Sequence, residues 1–113
     1  MAQLTQDKCV PCGSGAAKAS PAEVASLMKH VPNWHLVTRE SVDSLERVFR
    51  FPNFVDALAF TNRVGAIAEE QGHHPSLLTE WGRVTVAWWT HAVGGLHRND
   101  FVMAAKTDAL FRS

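Results

Sequence analysis

Three histidines are spaced so that they could move protons. His73 and His74 are adjacent after an apolar helical segment, and His91 lies beyond a short hairpin pattern with a turn at Trp81-Gly82. If the chain folds back at Gly82, residue 73 lies opposite residue 91, so we expect the three imidazoles at one end of a sheet. Imidazole titrates near neutral pH, which suits it to donating and accepting protons. The sequence therefore predicts acid–base chemistry there.

Length and composition favour one small globular domain. The chain has 113 residues, with six Phe and four Trp as bulky core material. No segment is long and apolar enough to span a membrane, and no secretory signal pattern opens the chain, so we expect a cytoplasmic protein. The formal net charge of zero argues against nucleic acid as a partner.

Residues 1–19 are predicted to form a flexible N-terminal arm, because Gly13-Ser14-Gly15 offers no side chain that could pack. Cys9 and Cys12 lie in this arm with C-x-x-C spacing. A zinc site would need two more ligands, and the sequence has no second cysteine pair. We interpret both cysteines as incidental, with a metal or redox role as the alternative.

Residues 20–113 are predicted to form one α+β domain with the order α-β-β-α-β-β-α. Ser20 and Glu23 form a capping box, and Asn53 and Gly72 bound the longest helix. Short turns between paired strands predict a four-stranded antiparallel sheet with the helices packed on one face. The predicted helices cover about 21–30, 54–71 and 98–111, and the predicted strands cover about 34–37, 45–51, 76–80 and 83–90.

Trp89 points to a further partner for the sheet. In the last strand Val84, Val86 and Trp88 share one face, whereas Trp89 lies on the other. Helices on a single face would leave Trp89 exposed unless a subunit or a ligand covered it. The two sheet edges also carry unpaired backbone groups. We therefore expect at least a dimer.

Several segments around the histidines form a specific pattern. They are Ala68-Glu69-Glu70-Gln71-Gly72-His73-His74-Pro75, Val84-Thr85-Val86 followed by Thr90-His91, and Gly95-Leu96 followed by Asp100. With this spacing, residues 54–105 resemble the pterin-4a-carbinolamine dehydratase family, also known as dimerisation cofactors of a homeodomain transcription factor. The similarity extends over most of the chain after the arm, and the stretches Asn62-Arg63-Val64 and Gly95–Asp100 look like bacterial members.

The resemblance implies an activity and a site. The reaction would be dehydration of 4a-hydroxytetrahydropterin to quinonoid dihydropterin, without a metal or a bound cofactor. It would recycle the pterin of an aromatic amino-acid hydroxylase, and the protein would be a homodimer or homotetramer. The implied catalytic residues are His73, His74 and His91. The residues implied to surround the pterin are Glu69, Pro75, Thr90, Ala92, Val93 and Asp100.

The chemistry of the reaction also fits the residue types. Loss of water requires one proton to reach the hydroxyl on C4a and another to leave N5, and a histidine cation and a neutral imidazole can do this. Which histidine is acid and which is base stays open. Two alternatives also stay open: a binding module that oligomerises with another protein, and a histidine or cysteine metal site. His73 and His74 would chelate one ion poorly on a strand, because neighbouring side chains point to opposite faces.

Overall fold

Three helices and a four-stranded antiparallel sheet form the structure, a computed structural model that describes residues 4–6 and 18–112. The predicted α+β class and element order are confirmed. No helix within these two ranges is both long and apolar enough to cross a lipid bilayer. In chain order, the elements are a 3-10 turn at Leu4–Gln6, α1 (Pro21–Met28), β1 (His35–Arg39), β2 (Val42–Arg50), α2 (Phe54–Gln71), β3 (Ser76–Glu80), β4 (Arg83–Trp88), a 3-10 turn at His91–Val93, and α3 (Arg98–Arg112).

The sheet has the strand order β1-β2-β4-β3, and α2 and α3 pack against one of its faces. Leu45 and Phe49 on β2 face the helices and are buried together with Trp88 on β4. On the other face Val48 and Leu78 remain exposed. This alternation is typical of an antiparallel sheet with one solvated face, and it confirms the prediction that the helices pack on a single side.

The register of the β3–β4 hairpin corrects one expectation. Glu80 pairs with Arg83 and Ser76 with Ala87, so the chain turns between Trp81 and Gly82. Continued past the strand ends, this register places residue 73 level with residue 90. The expected alignment of residues 73 and 91 is therefore wrong by one position, and a shift of one residue exchanges the two faces of a sheet.

The first hairpin also differs from its predicted limits. Glu40 and Ser41 form its turn, and both have left-handed backbone conformations with φ of 50° and 65°. Since neither residue is Gly or Asn, the sequence contains no clear signal for this turn. The predicted strands 34–37 and 45–51 are observed as His35–Arg39 and Val42–Arg50. The end of α1 and the end of β4 each fall two residues earlier than predicted.

Aromatic side chains fill much of the core between the sheet and the helices. Phe49 lies with its ring centroid 4.8 Å from Phe60 and 5.0 Å from Phe111, and Phe51 lies 5.2 Å from Phe60. Such pairs contribute about 0.5–1.5 kcal/mol beyond the burial of their area. This cluster joins β2 to α2 and to the end of α3.

The N-terminal turn contacts the domain. Leu4 is 5% exposed and belongs to the core, and the backbone oxygen of Thr5 accepts a 2.8 Å hydrogen bond from Lys106 of α3. Residue 19 is also held, because the amide of Ala19 donates to the oxygen of Leu96. These parts of the predicted flexible arm are therefore attached to the domain. Cys9 and Cys12 lie outside the described residues, so the interpretation of the cysteines stays a prediction.

An ion pair joins the sheet to α3. Arg47 interrupts the apolar face of β2, and its Nη1 lies 2.5 Å from Oδ1 of Asp108. The same oxygen accepts a 2.9 Å bond from Nε1 of Trp34. The guanidinium lies 4.4 Å from the ring centroid of Phe49, which is a cation–π arrangement. The ion pair therefore stands on the helix-facing side of β2, at a position where an apolar side chain would otherwise contact α3.

Asp108→Ala should lower the free energy of unfolding by about 3 kcal/mol, because it leaves the guanidinium of Arg47 largely buried without its partner. Arg83→Met is the matched control, since it breaks the pair with Glu80, in which the two side chains are 46% and 38% exposed. Its cost should be much smaller, because solvent screens an exposed pair. Urea denaturation at one fixed protein concentration measures both. Equal costs for the two variants would contradict this role of Asp108.

Gly72 ends α2 and sets the direction in which the chain reaches His73. Its φ is 65°, and the backbone amide of His73 donates to the oxygen of Ala68 while that of Gly72 donates to Glu69. These two bonds define a Schellman motif, which requires a left-handed residue after the helix. Glycine adopts this conformation without steric cost.

Gly72→Ala should destabilise the protein by about 1 kcal/mol, the cost of a left-handed conformation for a residue with a Cβ. Gly65→Ala is the control: Gly65 lies inside α2, and a Cβ at either glycine would meet no atom within 4 Å. Alanine in a helix interior should stabilise by about 0.5–1 kcal/mol. Thermal unfolding should therefore show shifts of opposite sign, and a shared sign would show that backbone conformation does not decide the outcome.

Candidate functional site

His73 is held by a buried carboxylate. Its Nε2 lies 2.6 Å from Oδ1 of Asp100, and the two side chains are 11% and 0% exposed. The imidazole also stacks on the indole of Trp88, with a centroid distance of 5.6 Å and an interplanar angle of 11°. The hydrogen bond and the stacking together fix both the position and the plane of this ring.

Asp100 binds three elements of the structure. Its Oδ2 accepts bonds from Thr90 Oγ1 at 2.8 Å and from the backbone amide of His97 at 2.9 Å. Asp100 lies in the first turn of α3, where a carboxylate is favoured by the helix dipole. Thr90 is held in turn by an isolated bridge to Gly95. Because Asp100 is fully buried, it reaches a bound molecule in this conformation only through the residues that it contacts.

His74 has a different environment. Its Nε2 lies 2.5 Å from Oε1 of Glu69 in the last turns of α2, but the two side chains are 60% and 79% exposed. An exposed pair of this kind contributes little to stability and leaves the ring free to turn. His74 is therefore placed for direct contact with solvent or with a ligand, unlike His73.

His91 contacts the tryptophan on the other face of β4 from Trp88. It opens the short turn after β4, and its ring centroid lies 4.8 Å from that of Trp89. Both side chains line a groove of about 380 Å³ on the face without helices. We call it the open-face groove, and its lining residues are Arg39, Glu40, Val42, Ser44, Glu46, Ser76, Ala87, Trp89 and His91. Trp89, half-buried, is thus covered in part by His91.

The three histidines reach the same end of the sheet, as the sequence predicts, but not as one cluster of rings on one face. His73 contacts the helix-facing Trp88, and His91 contacts Trp89 on the open face. The remaining residues implied by the resemblance flank these positions. Pro75 is half-buried between His74 and β3, Ala92 is exposed in the turn that His91 opens, and Val93 is half-buried at its end.

Sequence reasoning missed two features of this site. The alternation along β4 predicts which face Trp88 lies on, but not that Trp88 also supports the ring of His73. His97 also contributes to the site. Its backbone amide donates to Asp100, and the Nδ1 atom of its side chain accepts a hydrogen bond from the amide of Asn99. An aromatic residue two positions before Thr90 could have indicated the stacking, but no sequence signal identifies a backbone donor.

Trp81 lies at the other end of the sheet. It is 74% exposed in the β3–β4 turn, beside Glu80 and Arg83. Hydrogen bonding from Arg83 holds the pKa of Glu80 below its usual value. Because Trp81 lies at the end of the sheet away from the histidines, it cannot stack, within one chain, on a ligand that they hold. In the part of the chain that is described, no three His, Cys, Asp or Glu side chains are grouped to hold a metal ion.

Comparison with known proteins gives consistent matches. Residues 17–110 match the family described as pterin 4 alpha carbinolamine dehydratase. A relative from Microcystis aeruginosa is 52% identical over 112 residues, covering 99% of this chain and 97% of its own. One from Chlorobium limicola is 54% identical over 110 residues and covers 97% of both chains. Both carry the name pterin-4-alpha-carbinolamine dehydratase as a provisional assignment.

Solved structures agree with the fold. A transcriptional coactivator/pterin dehydratase from Brucella melitensis is 26% identical, with a TM-score of 0.74 over 82% of this chain and 97% of that one. A pterin dehydratase-like protein, identified as a RuBisCO assembly factor in the alpha-carboxysome, is 24% identical, with a TM-score of 0.61 over 72% of this chain and 92% of that one. The second match bears on the fold alone. Because it is 52% identical to a relative over 99% of its length and matches the family over residues 17–110, this chain belongs to the pterin 4 alpha carbinolamine dehydratase family.

Proposed function

We propose that this protein dehydrates 4a-hydroxytetrahydropterin to quinonoid dihydropterin and water by histidine acid–base catalysis. The observation that carries the proposal is the fixed imidazole of His73, which is bound to the buried Asp100 and stacked on Trp88. A solvated histidine after a helix would need neither contact. Family membership and the names of the relatives support the same reaction class.

The reaction needs two proton transfers and no redox step. The hydroxyl on C4a receives a proton, the C4a–O bond breaks, and water leaves. The N5 proton departs, and its electron pair forms the C4a=N5 double bond. We assign these transfers to His73, His74 and His91, which lie at the same end of the sheet in environments of different exposure. Different surroundings are what one acid and one base require if they are to hold opposite protonation states.

The residues around the histidines are proposed to hold the reduced pterin. Glu69, Pro75, Ala92 and Val93 lie beside the catalytic rings and are exposed or half-buried. Thr90 and Asp100 are 2% and 0% exposed, so we assign them to the support of the site. No bound cofactor enters the proposal. The link to an aromatic amino-acid hydroxylase and the cytoplasmic location stay predictions.

A second candidate function is that of a binding module. Phe54, Val55 and Leu58 form an exposed apolar patch on the first turns of α2, with exposures of 43%, 74% and 43%. A patch of this kind on one helix favours contact with another protein. The two functions are compatible, since the patch lies at the start of α2, whereas His73 and His74 follow its end.

His73→Ala, His74→Ala and His91→Ala should each lower kcat for carbinolamine dehydration while the fold survives. A positioned acid or base contributes about 10²- to 10⁴-fold, and the losses should combine less than additively. His30→Ala and His35→Ala are matched controls, because both are exposed and lie before β2. The assay uses chelator-treated protein. Wild-type turnover in all three variants would reject histidine catalysis, and activity that returned only with zinc would favour the metal alternative.

Light scattering at micromolar concentration should report at least a dimer, because β1 and β3 are open edges of the sheet. Leu36 and Leu78 lie on these edges and are 49% and 55% exposed. Leu36→Lys and Leu78→Lys form a matched pair, and a charge on the edge that pairs should lower the mass. A monomeric mass for the wild-type protein would contradict the prediction.

A further inference from the structure

We propose that Thr90 is a positioning residue that acts through Asp100 to fix the tautomer of His73, so that Nδ1 of His73 accepts the N5 proton. The assignment of substrate N5 as the proton donor rests on the proposed function. The tautomer of His73 does not, because it is a property of the free protein. It also assigns one of the two proton transfers to a single nitrogen atom.

The donors to Asp100 determine the direction of the hydrogen bond between Asp100 and His73. A backbone amide can only donate, so Oδ2 accepts a hydrogen bond from the amide of His97. The hydroxyl of Thr90 meets the same oxygen at 2.8 Å and supplies a second donor. Two donors on Oδ2 favour the ionised carboxylate, in which both oxygens are acceptors. Oδ1 is the oxygen that faces His73 and accepts from it in this form.

His73 completes the chain. With Oδ1 of Asp100 as an acceptor 2.6 Å away, Nε2 of His73 carries the hydrogen of the neutral ring. The lone pair therefore lies on Nδ1, the nitrogen that does not face Asp100. Stacking on Trp88 restricts rotation of the ring, so the two nitrogens do not exchange places. A neutral imidazole in this tautomer can accept a proton at Nδ1 but cannot donate one from it.

The catalytic step follows from this arrangement. The N5–H bond of the substrate breaks, the proton moves to Nδ1 of His73, and the electron pair forms the C4a=N5 bond as the hydroxyl leaves as water. Asp100 faces the imidazolium that results, and this opposite charge stabilises it. The proton for the leaving hydroxyl comes from a separate donor. His74 lacks a buried partner of this kind, since Glu69 is 79% exposed.

The hydrogen bond from Thr90 to Asp100 can be removed by a substitution that keeps the shape of the side chain. Its backbone is fixed, with its amide 2.8 Å from the oxygen of Gly95, and its oxygen accepts a bond from the amide of Val93. The hydroxyl therefore approaches Asp100 from a rigid position. Thr90→Val removes this donor while keeping the shape of the side chain, and the amide of His97 remains as a donor to Oδ2. The carboxylate loses half of the restraint on that oxygen and can rotate away from His73.

The test combines kinetics with the tautomer of His73, using Thr90→Val, Thr90→Ser and Asp100→Asn. Thr61→Val is the matched control, because it removes a threonine bond, 2.6 Å to Thr79, at a distance from the site. Two-bond ¹H–¹⁵N spectra, recorded above the pH range in which imidazole titrates, report which nitrogen carries the hydrogen. The signal of His73 is identified by its loss in His73→Gln.

We expect the wild-type protein, Thr90→Ser and Thr61→Val to show His73 protonated at Nε2. Thr90→Val should show a mixture of tautomers and a kcat about 10- to 100-fold lower with little change in KM, which is the loss expected for part of an acid–base contribution. Asp100→Asn can donate from its amide to Nε2. It should invert the tautomer and lower kcat by about 10³- to 10⁴-fold, as loss of an orienting carboxylate does.

Two results would overturn the inference. One is a wild-type His73 protonated at Nδ1. The other is a Thr90→Val protein that is less stable but keeps both its tautomer and its kcat, which would make Thr90 a structural residue only. If the wild-type protein does not dehydrate the pterin but its tautomers respond as expected, the proposed function fails and the positioning chain stands.

Discussion

A buried carboxylate with no exposed surface is the constraint on which the rest of this structure depends. Removing the charge of Asp100 from water is costly unless donors surround it, so three parts of the chain must meet there. These parts are the loop after α2, the residue after β4, and the start of α3. Each contributes one hydrogen-bonding partner. The position of His73 therefore depends on the contacts of Asp100 as well as on the loop that begins at Gly72.

A second carboxylate holds the same helix further along. Asp108 lies two turns after Asp100 and accepts from Arg47 and Trp34, so α3 is tied to the sheet near both of its ends. Between these points, the side chains of α3 from Phe101 to Ala105 are buried. Polar contacts set where the helix lies along the sheet, and apolar burial supplies most of the free energy. This division is typical of cores in which non-directional packing is combined with a few directional bonds.

Much of the fold could be predicted because its local signals are strong. Ser20, Asn53 and Gly72 mark helix limits that the structure retains. The turn at Glu40-Ser41 could not be placed, since neither residue is a usual left-handed type. The histidines were found from their spacing, and their common end of the sheet followed from the hairpin. That His73 and His91 contact tryptophans of different sheet faces could not be predicted, because a register uncertain by one residue leaves the face undetermined.

The dependence of His73 on α3 also has a meaning for how the chain folds. The contact between His73 and Asp100 spans 27 residues, and the contact between Lys106 and Thr5 spans 101. Contacts between residues far apart in sequence cost chain entropy before they contribute any stability. During synthesis, the hairpin and α2 leave the ribosome before α3, so the imidazole lacks its hydrogen bond to Asp100 until α3 docks. The contact between His73 and Asp100 is therefore complete only in a chain whose last helix has docked.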